Sequence, residues 1–340
     1  MNQVLAEDFS EIYKKLGSRL DPLKGKSILV TGANGMLASY MVKFLNWLNE
    51  TKQFNLSITG LVREVKAKIP SVTYLTGDVN SFNLTEKYHY IVHSASLASP
   101  IHYGSNPIGV SLPNVQGTIN LLTHAEKYLP ESFLFVSSSE VYGDFGMDKA
   151  AIEENEFGKL DPMNPRSCYA ESKRMGENLC VSWFKQKSVP AKVVRPFHTY
   201  GPGLTRTDGR VYADFIYSIV DSQNITLNSK GEARRAFCYQ SDALMGMLLI
   251  LLEGKNGEAY NLGNPDQELS IREAADTAAM VFPEREVKVI INEQVSQGYL
   301  KSPVLRNSPS IRKIGELGWK PSVSLKDGMK KTVSFIEGEV

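Results

Sequence analysis

The sequence has few of the residues that build disulfide frameworks or metal sites. Its 340 residues include three cysteines, Cys168, Cys180 and Cys238, which are scattered and form no CxxC pair. An odd and dispersed set argues against both a disulfide framework and a zinc site. The five histidines show no HExxH-type spacing. We therefore expect no catalytic metal.

Net charge and long apolar runs are also lacking. The formal charge is +1, from 38 basic and 37 acidic residues. Such a balance gives no electrostatic reason to expect binding to nucleic acid or to an anionic membrane. No uninterrupted apolar run approaches the ~20 residues that a membrane span needs. The N-terminal segment is MNQVLAEDFSEIYKKLGSRL. It lacks the basic start and the apolar core of a signal peptide. We expect a cytoplasmic protein.

Short apolar segments alternate with helical patterns along the first 200 residues. The segments that read as strands are KSILV, LSITGLV, VTYLTGDV, YHYIVH, SFLFV and AKVVRPF. They are apolar throughout rather than alternating, which is typical of strands buried on both faces of a parallel sheet. The sequence therefore predicts an α/β fold with a doubly wound parallel sheet of the Rossmann type and a smaller C-terminal substrate lobe.

The distribution of apolar residues and glycines along the chain predicts its domain boundaries. Apolar residues at helical spacing indicate an N-terminal amphipathic helix over residues 1–24; they are Leu5, Phe9, Ile12, Leu16 and Leu20. We expect the Rossmann domain over 25–196, with 236–263 returning to it. The remaining segments, 197–235 and 264–340, are expected to form the substrate lobe. The first of these contains a glycine-rich stretch with two arginines, HTYGPGLTRTDGR.

A strand–turn–helix segment carries the first functional signal. In VTGANGMLAS, Gly32, Gly35 and Ala38 follow an apolar strand and open a helix. Glycines let the backbone approach a pyrophosphate, and a helix N-terminus offers free N–H groups and positive potential. A tight turn is the simpler interpretation, but the strand–helix context favours a dinucleotide site.

The second signal is a tyrosine and a lysine four residues apart. Tyr169 and Lys173 lie in SCYAESKRMGE, which reads as a helix. Positions i and i+4 share one face of a helix. A lone pair of this kind is usually a surface aromatic beside a solvated lysine. The rest of the chain supplies the reason to prefer a catalytic interpretation.

Several ordered motifs together resemble one family. TGANGMLA is similar to the TGxxGxxG/A signature of extended short-chain dehydrogenases/reductases, and YAESK matches that family's YxxxK. SSSEVYGD, RPFHTYGPG and GEARRAFCYQSDA resemble the segments of its nucleotide-sugar branch. The resemblance covers about Lys26 to Phe335. It implies NAD-dependent chemistry on a nucleoside-diphosphate sugar.

The resemblance assigns catalytic roles. Tyr169 is the general acid or base at a sugar hydroxyl, and Ser138 hydrogen-bonds the same oxygen. A free tyrosine has a pKa near ~10, too high for a base at neutral pH. We expect the ammonium of Lys173 to lower that pKa. Glu140 is the fourth catalytic candidate.

Finer matches resemble the UDP-glucuronate decarboxylases of this branch. Sugar-nucleotide 4,6-dehydratases carry Thr-Asp-Glu where this chain has Ser138, Ser139 and Glu140. The acid that would protonate a leaving hydroxyl is thus missing. We expect decarboxylation through a 4-keto intermediate. A 4-epimerase, a 4,6-dehydratase and a non-catalytic dinucleotide sensor are the alternatives.

The resemblance also implies ligand-binding residues. Those expected to bind the cofactor are Gly32, Asn34, Gly35, Met36, Leu37, Arg63, Asp78, Val79, Ala95, Tyr169, Lys173 and Pro196. Those expected to bind the substrate are Ser139, His198, Arg210, Arg235 and Arg306. His198 replaces the family's asparagine, and Arg306 lies one residue further from Pro309 than in the decarboxylase pattern. NAD is the expected cofactor, with NADP as an alternative because Arg63 follows the second strand. We also expect a homodimer.

Overall fold

The structure is a computed structural model that describes residues 1–292 and 304–338. The α-helices of the described residues are α1 Gln3–Leu16, α2 Met36–Lys52, α3 Ile101–Ser105, α4 Pro107–Tyr128, α5 Cys168–Lys187, α6 Val211–Val220, α7 Gln240–Glu253, α8 Ile271–Ala279, α9 Arg312–Gly315 and α10 Leu325–Glu337. Short 3₁₀ helices cover Gly17–Leu23, Ser139–Tyr142, Pro165–Ser167, Pro265–Gln267 and Pro283–Arg285.

The strands of the same residues divide into one large and three small sheets. They are β1 Ser27–Thr31, β2 Ser57–Val62, β3 Val72–Thr76, β4 Tyr90–His93, β5 Ser132–Val136, β6 Ala191–Pro196, β7 Thr199–Tyr200, β8 Ile225–Leu227, β9 Arg234–Ala236, β10 Cys238–Tyr239, β11 Ala259–Leu262, β12 Glu268–Ser270, β13 Val289–Ile291 and β14 Arg306–Asn307.

The large sheet has seven strands in the order β11-β6-β5-β4-β1-β2-β3. Every neighbouring pair in it is parallel. Its central strands are buried on both faces, as Ile28, Leu29 and Val30 of β1 show with no exposed surface. Such continuous apolar strands are typical of a parallel sheet covered by helices on both sides. The predicted doubly wound fold is confirmed.

The carboxyl ends of these strands meet at one edge of the sheet, which we call the carboxyl edge. The glycine turn follows β1 there, Ser138 follows β5, and His198 follows β6. In open α/β sheets, ligands bind in the crevice outside this edge. The topology therefore brings together segments that are far apart in the sequence.

A second apolar core lies outside the large sheet. It joins side chains of α6, α8 and α10, including Ile216, Ala275 and Met329. Three small sheets accompany it, in the orders β10-β7, β12-β9-β14 and β13-β8. The sequence does not predict strands β12 to β14. These strands have only two or three residues each, too few to show a periodicity.

The N-terminal segment joins both cores. Helix α1 ends at Leu16, and a 3₁₀ helix continues from Gly17, whose φ is +52°. The buried carboxylate of Asp8 in α1 accepts hydrogen bonds from the hydroxyls of Tyr40 in α2 and Tyr239 in β10, at 2.9 and 2.8 Å. The ammonium of Lys331 in α10 lies 2.5 Å from the same carboxylate. One buried anion therefore connects four elements.

Across residues 1–292 and 304–338, no helix combines the length and the apolar character needed to cross a membrane.

Candidate active site

The glycine turn has the geometry of a close backbone approach. Gly32 has a φ of +68°, and a Cβ placed on it would lie 2.7 Å from the Cα of Ala95. Only glycine fits there without moving the loop after β4. The side-chain oxygen of Thr31 holds that loop by accepting the backbone N–H groups of Ser94 and Ala95, each at 3.2 Å. The turn after β1 and the loop after β4 thus form one cradle.

Helix α2 presents its N-terminus to this cradle. Gly35 is the N-cap and provides no side-chain hydrogen bond, so the first N–H groups of Met36 and Leu37 are not capped by a side chain. Such an end attracts phosphate groups. The side chain of Asn34 instead donates to the carbonyl of Glu64 at 2.6 Å. The cradle and the uncapped helix fit a pyrophosphate, which is the observation that favours a dinucleotide here.

The remaining cofactor candidates lie around the ends of neighbouring strands. Arg63 follows β2 directly and is exposed. Asp78 is also exposed, and its carboxylate accepts the backbone N–H of Asn80 at 2.9 Å, so it closes the turn after β3. Val79 is buried, and Pro196 is the last residue of β6. The contact of Asp78 with an adenine stays a prediction.

Tyr169 and Lys173 of α5 lie at the carboxyl edge and are both buried. The phenol of Tyr169 is hydrogen-bonded with Ser138, which follows β5. The ammonium of Lys173 donates to the carbonyl of Val136 at 2.6 Å and lies 5.8 Å from the centre of the Tyr169 ring. Three candidate catalytic residues therefore form one cluster.

The pKa of Tyr169 differs from the sequence expectation. Burial raises it to about 12, while the hydrogen bond with Ser138 and the charge of Arg210 lower it and the charge of Glu140 raises it. The pKa of Tyr169 is therefore raised overall, and the lowering expected from Lys173 stays a prediction. Burial also lowers the pKa of Lys173 to about 7, against the opposing effect of Glu177. An apolar interior disfavours the charged form of both groups.

Tyr103 of α3 is a site residue that the sequence analysis did not single out. Its ring stacks on that of Tyr169 with centroids 5.1 Å apart and an interplanar angle of 14°. Its hydroxyl donates to the carbonyl of Ala98 at 3.0 Å. The stack fixes the plane of the Tyr169 phenol. Nothing in the spacing of Tyr103 and Tyr169, on separate helices, indicates the contact.

Arg210 precedes α6 and His198 follows β6, and the charge of Arg210 acts on both Tyr169 and His198. Two nitrogens of the Arg210 guanidinium, Nε and Nη2, donate to the carboxylate of Asp208, the second at 2.6 Å. His198 has a left-handed backbone with a φ of +28°. Burial and the positive charges of Arg235 and Arg210 lower its pKa well below the usual range. Its Nε2 atom is buried without a hydrogen-bond partner among the described residues. The imidazole is therefore neutral near pH 7.

Arg235 and Asn307 occupy neighbouring strands of the sheet β12-β9-β14. Arg235 is buried and donates to backbone carbonyls, including that of Val304 at 2.7 Å. Asn307 is its register partner on β14, and its amide nitrogen donates to the hydroxyl of Ser139 at 3.1 Å. Asn307 was not predicted as a site residue.

Arg306 is directed away from this cluster. Its guanidinium forms a two-point ion pair with Glu268, at 2.7 and 3.0 Å. Glu268 also pairs with Arg234, the register partner of Arg306. Successive residues of a strand face opposite sides. The structure thus brings Asn307 to Ser139 and does not bring Arg306 there. The binding role expected of Arg306 is not supported by its position.

The described residues contain no group of three or more His, Cys, Asp or Glu side chains placed to hold a metal ion.

A parallel seven-stranded sheet with a glycine cradle and a Tyr–Lys pair at its carboxyl edge defines a Rossmann-type, dinucleotide-dependent enzyme. The family model described as "NAD dependent epimerase/dehydratase family" matches residues 28–263. The chain belongs to this family. The membership confirms the resemblance to the nucleotide-sugar branch and the expectation of NAD.

Similar proteins include UDP-glucuronic acid decarboxylases. The chain is 31% identical to UDP-glucuronic acid decarboxylase 1 of Xenopus tropicalis, over 99% of this chain and 79% of the relative. It is 34% identical to UDP-glucuronic acid decarboxylase 6 of Arabidopsis thaliana, over 89% and 86%. Among solved structures, a UDP-glucuronic acid 4-epimerase from Bacillus cereus, in complex with UDP-glucuronic acid and NAD, shares the fold. Its TM-score is 0.77, with 21% identity over 92% of this chain and all of the other.

Proposed function

We propose that this protein decarboxylates UDP-glucuronate in an NAD-dependent reaction that passes through a 4-keto sugar. The observation that carries the proposal is the cluster of the buried Tyr169 and Lys173 with the partly buried Ser138, beside which Ser139 bears a hydroxyl and not an acid. The names of the decarboxylase relatives support the choice of substrate.

The residues of the cluster divide the first step. The phenolic oxygen of Tyr169 takes the proton of the sugar C4 hydroxyl, and the hydroxyl of Ser138 hydrogen-bonds the same oxygen. Arg210 contributes positive charge near the phenol, and Lys173, 5.8 Å from the ring centre, adds to it when it is protonated. NAD, held by the glycine cradle and the N-terminus of α2, supplies hydride acceptance and return. A positioned acid or base of this kind contributes ~10²–10⁴-fold to the rate.

The second step breaks the bond between C5 and the carboxylate. Its electron pair moves toward the C4 carbonyl as CO₂ leaves, which gives an enolate. A proton then returns to C5, and we assign its delivery to Glu140, which is partly buried and whose charge acts on Tyr169. The hydroxyl of Ser139 is too weak an acid to protonate the leaving hydroxyl in a dehydration.

The two lobes divide the binding. Residues 25–196 with 236–263 hold NAD, and residues 197–235 with 264–340 hold the nucleotide sugar. Arg210 and Arg235 contact the diphosphate, since guanidinium groups bind phosphate oxygens in a forked geometry.

The choice between NAD and NADP depends on Arg63. Its exposed guanidinium would favour NADP if it bound the 2′-phosphate of that cofactor. Nucleotide extracted from the purified protein should be mainly NAD(H), and mainly NADP(H) would overturn the choice.

The test of the activity is direct. Purified protein incubated with UDP-glucuronate and NAD should release CO₂ and form UDP-xylose or its 4-keto form, read by mass spectrometry. Interconversion of hexose epimers without CO₂ would establish the epimerase instead. Loss of water from a 6-hydroxy sugar would establish the dehydratase. NAD binding without turnover of any UDP-sugar would indicate a dinucleotide sensor.

The proposal includes a homodimer. Helices α4 and α5 pack together, and large apolar side chains are exposed on them: Ile108 is 72%, Leu112 44% and Met175 48% exposed. Exposed apolar patches are typical of protein contacts. Light scattering should give twice the chain mass, and Leu112→Glu should shift it toward the monomer. A monomeric wild-type protein would refute the dimer.

A further inference from the structure

We propose that Asn307 determines which substituent the site accepts on the sugar carbon next to C4. This inference rests on the proposed function, which places the C4 oxygen at Tyr169 and Ser138. Ser139 is the next residue along the chain from Ser138 and is buried. The amide nitrogen of Asn307 donates to the hydroxyl of Ser139 at 3.1 Å. The pair therefore borders the sugar on one side of C4.

The side-chain amide of Asn307 has a hydrogen-bond donor and an acceptor that are not used by the described residues. Asn307 is 2% and Ser139 4% exposed. The amide nitrogen carries two hydrogens, of which one goes to Ser139. The amide oxygen is buried and has no hydrogen-bond partner among the described residues. Buried polar groups without partners are uncommon and costly. The amide is thus available both to donate to and to accept from a ligand group.

The orientation of β14 excludes Arg306 from the same role. Arg306 and Ser308 both contact Glu268, while Asn307 between them contacts Ser139. This alternation fixes which side of the strand faces the cluster. Bringing Arg306 to Ser139 would require breaking its ion pair and turning the strand. The group next to the sugar is therefore a neutral amide and not a guanidinium.

A neutral amide selects its ligand differently from a cation. A guanidinium binds a carboxylate with charge-assisted hydrogen bonds, which are about twice as strong as neutral ones. An amide can donate to a carboxylate or accept from a hydroxyl. The site should therefore bind a hexuronate and a neutral hexose with affinities that differ by about tenfold or less. Selection of the uronate then occurs in the chemical step more than in binding.

The experiment compares UDP-glucuronate with UDP-glucose, which differ only at C6. Dissociation constants are measured by calorimetry on the NAD-loaded wild type, Asn307→Asp and Arg306→Gln. The aspartate is nearly isosteric with asparagine but places a negative charge against the C6 carboxylate. It should lower the preference for UDP-glucuronate by about tenfold or more. Arg306→Gln should leave the preference within about twofold.

Two results would overturn the inference. One is an unchanged preference for UDP-glucuronate in Asn307→Asp. The other is a tenfold loss of that preference in Arg306→Gln. If Asn307→Asp does not bind NAD, Asn307→Ala takes its place and should change the preference by more than Arg306→Gln does; an equal or smaller change also refutes the inference. Because the readout is binding, it stays informative even if UDP-glucuronate loses no CO₂, which would refute the proposed function alone.

Discussion

The ammonium of Lys173 lies 5.8 Å from the centre of the Tyr169 ring, and each side chain is less than 7% exposed. Burial favours the neutral form of both, with pKa values of about 12 for Tyr169 and about 7 for Lys173. Proton removal by Tyr169 therefore depends on the groups that stabilise a phenolate, and Ser138 and Arg210 act in that direction.

Replacing the phenol should separate catalysis from binding. Tyr169→Phe removes only the titrating oxygen and keeps the stack with Tyr103. We expect the turnover rate to fall by ~10²–10⁴-fold, while the dissociation constant for NAD changes little. Stopped assays and NAD titration measure the two. Retention of more than about a tenth of the activity would mean that another base acts.

Lys173 should make stability depend on pH. Its pKa is about 7 in the folded protein and about 10.4 when unfolded. The unfolded state thus binds more protons between these values, so the free energy of unfolding rises as the pH rises from about 7 to about 10.4. Below about pH 7 the cost of the buried charge is present in full.

The variant Lys173→Met removes this charge. It should unfold with a free energy higher than that of the wild type at pH 6, by on the order of a few kcal/mol. The difference should shrink toward pH 10, and turnover should be lost. Urea unfolding at several pH values measures it. A variant less stable than the wild type at pH 6 would show that the hydrogen bond to Val136 outweighs the cost of burial.

Two glycines of similar conformation allow a matched test of the cradle. Gly32 and Gly25 have φ values of +68° and +69°, but a Cβ on Gly25 would meet nothing within 4 Å. Gly25→Ala should cost only the left-handed strain of about 1–2 kcal/mol. Gly32→Ala should cost more and weaken NAD binding at least tenfold, because Ala95 must move. Equal NAD affinities in the two variants would contradict the role of the cradle.

The carboxylate of Asp8 should be important for stability. Asp8→Ala leaves the hydroxyls of Tyr40 and Tyr239 and the ammonium of Lys331 without their acceptor. Loss of one partner from a buried ionic group costs about 3–5 kcal/mol. The exposed Glu7 on the same helix is the control, and Glu7→Ala should change stability by less than about 0.5 kcal/mol. Similar losses in both variants would refute the prediction.

The features that the sequence could predict are motifs whose residues lie close together along the chain. The glycines of the cradle and the pair Tyr169 and Lys173 lie within short segments whose secondary structure is evident from apolar patterns. The parallel sheet followed from strands without alternation. The five apolar residues predicted for the N-terminal helix are all buried, although the last of them, Leu20, lies in the 3₁₀ helix that follows α1.

Features set by tertiary contact could not be predicted. Strand β14 has two residues, so no pattern shows that Asn307 and not Arg306 faces Ser139. The pKa of Tyr169 depends on burial that Tyr103 helps to produce from another helix. The sequence gives the neighbours of a residue along the chain, whereas desolvation depends on its neighbours in space.

The ion pair between Asp8 and Lys331 also bears on the order of assembly during synthesis. The two residues are separated by 323 positions. At about 5–20 residues per second, a ribosome needs tens of seconds to pass from one to the other. The apolar face of α1 can pack on α2 soon after its own synthesis, as Phe9 does on Tyr40 and Phe44, whereas the carboxylate of Asp8 must wait for the ammonium of Lys331. The buried ion pair between α1 and α10 therefore forms late, after the intervening residues have been synthesised.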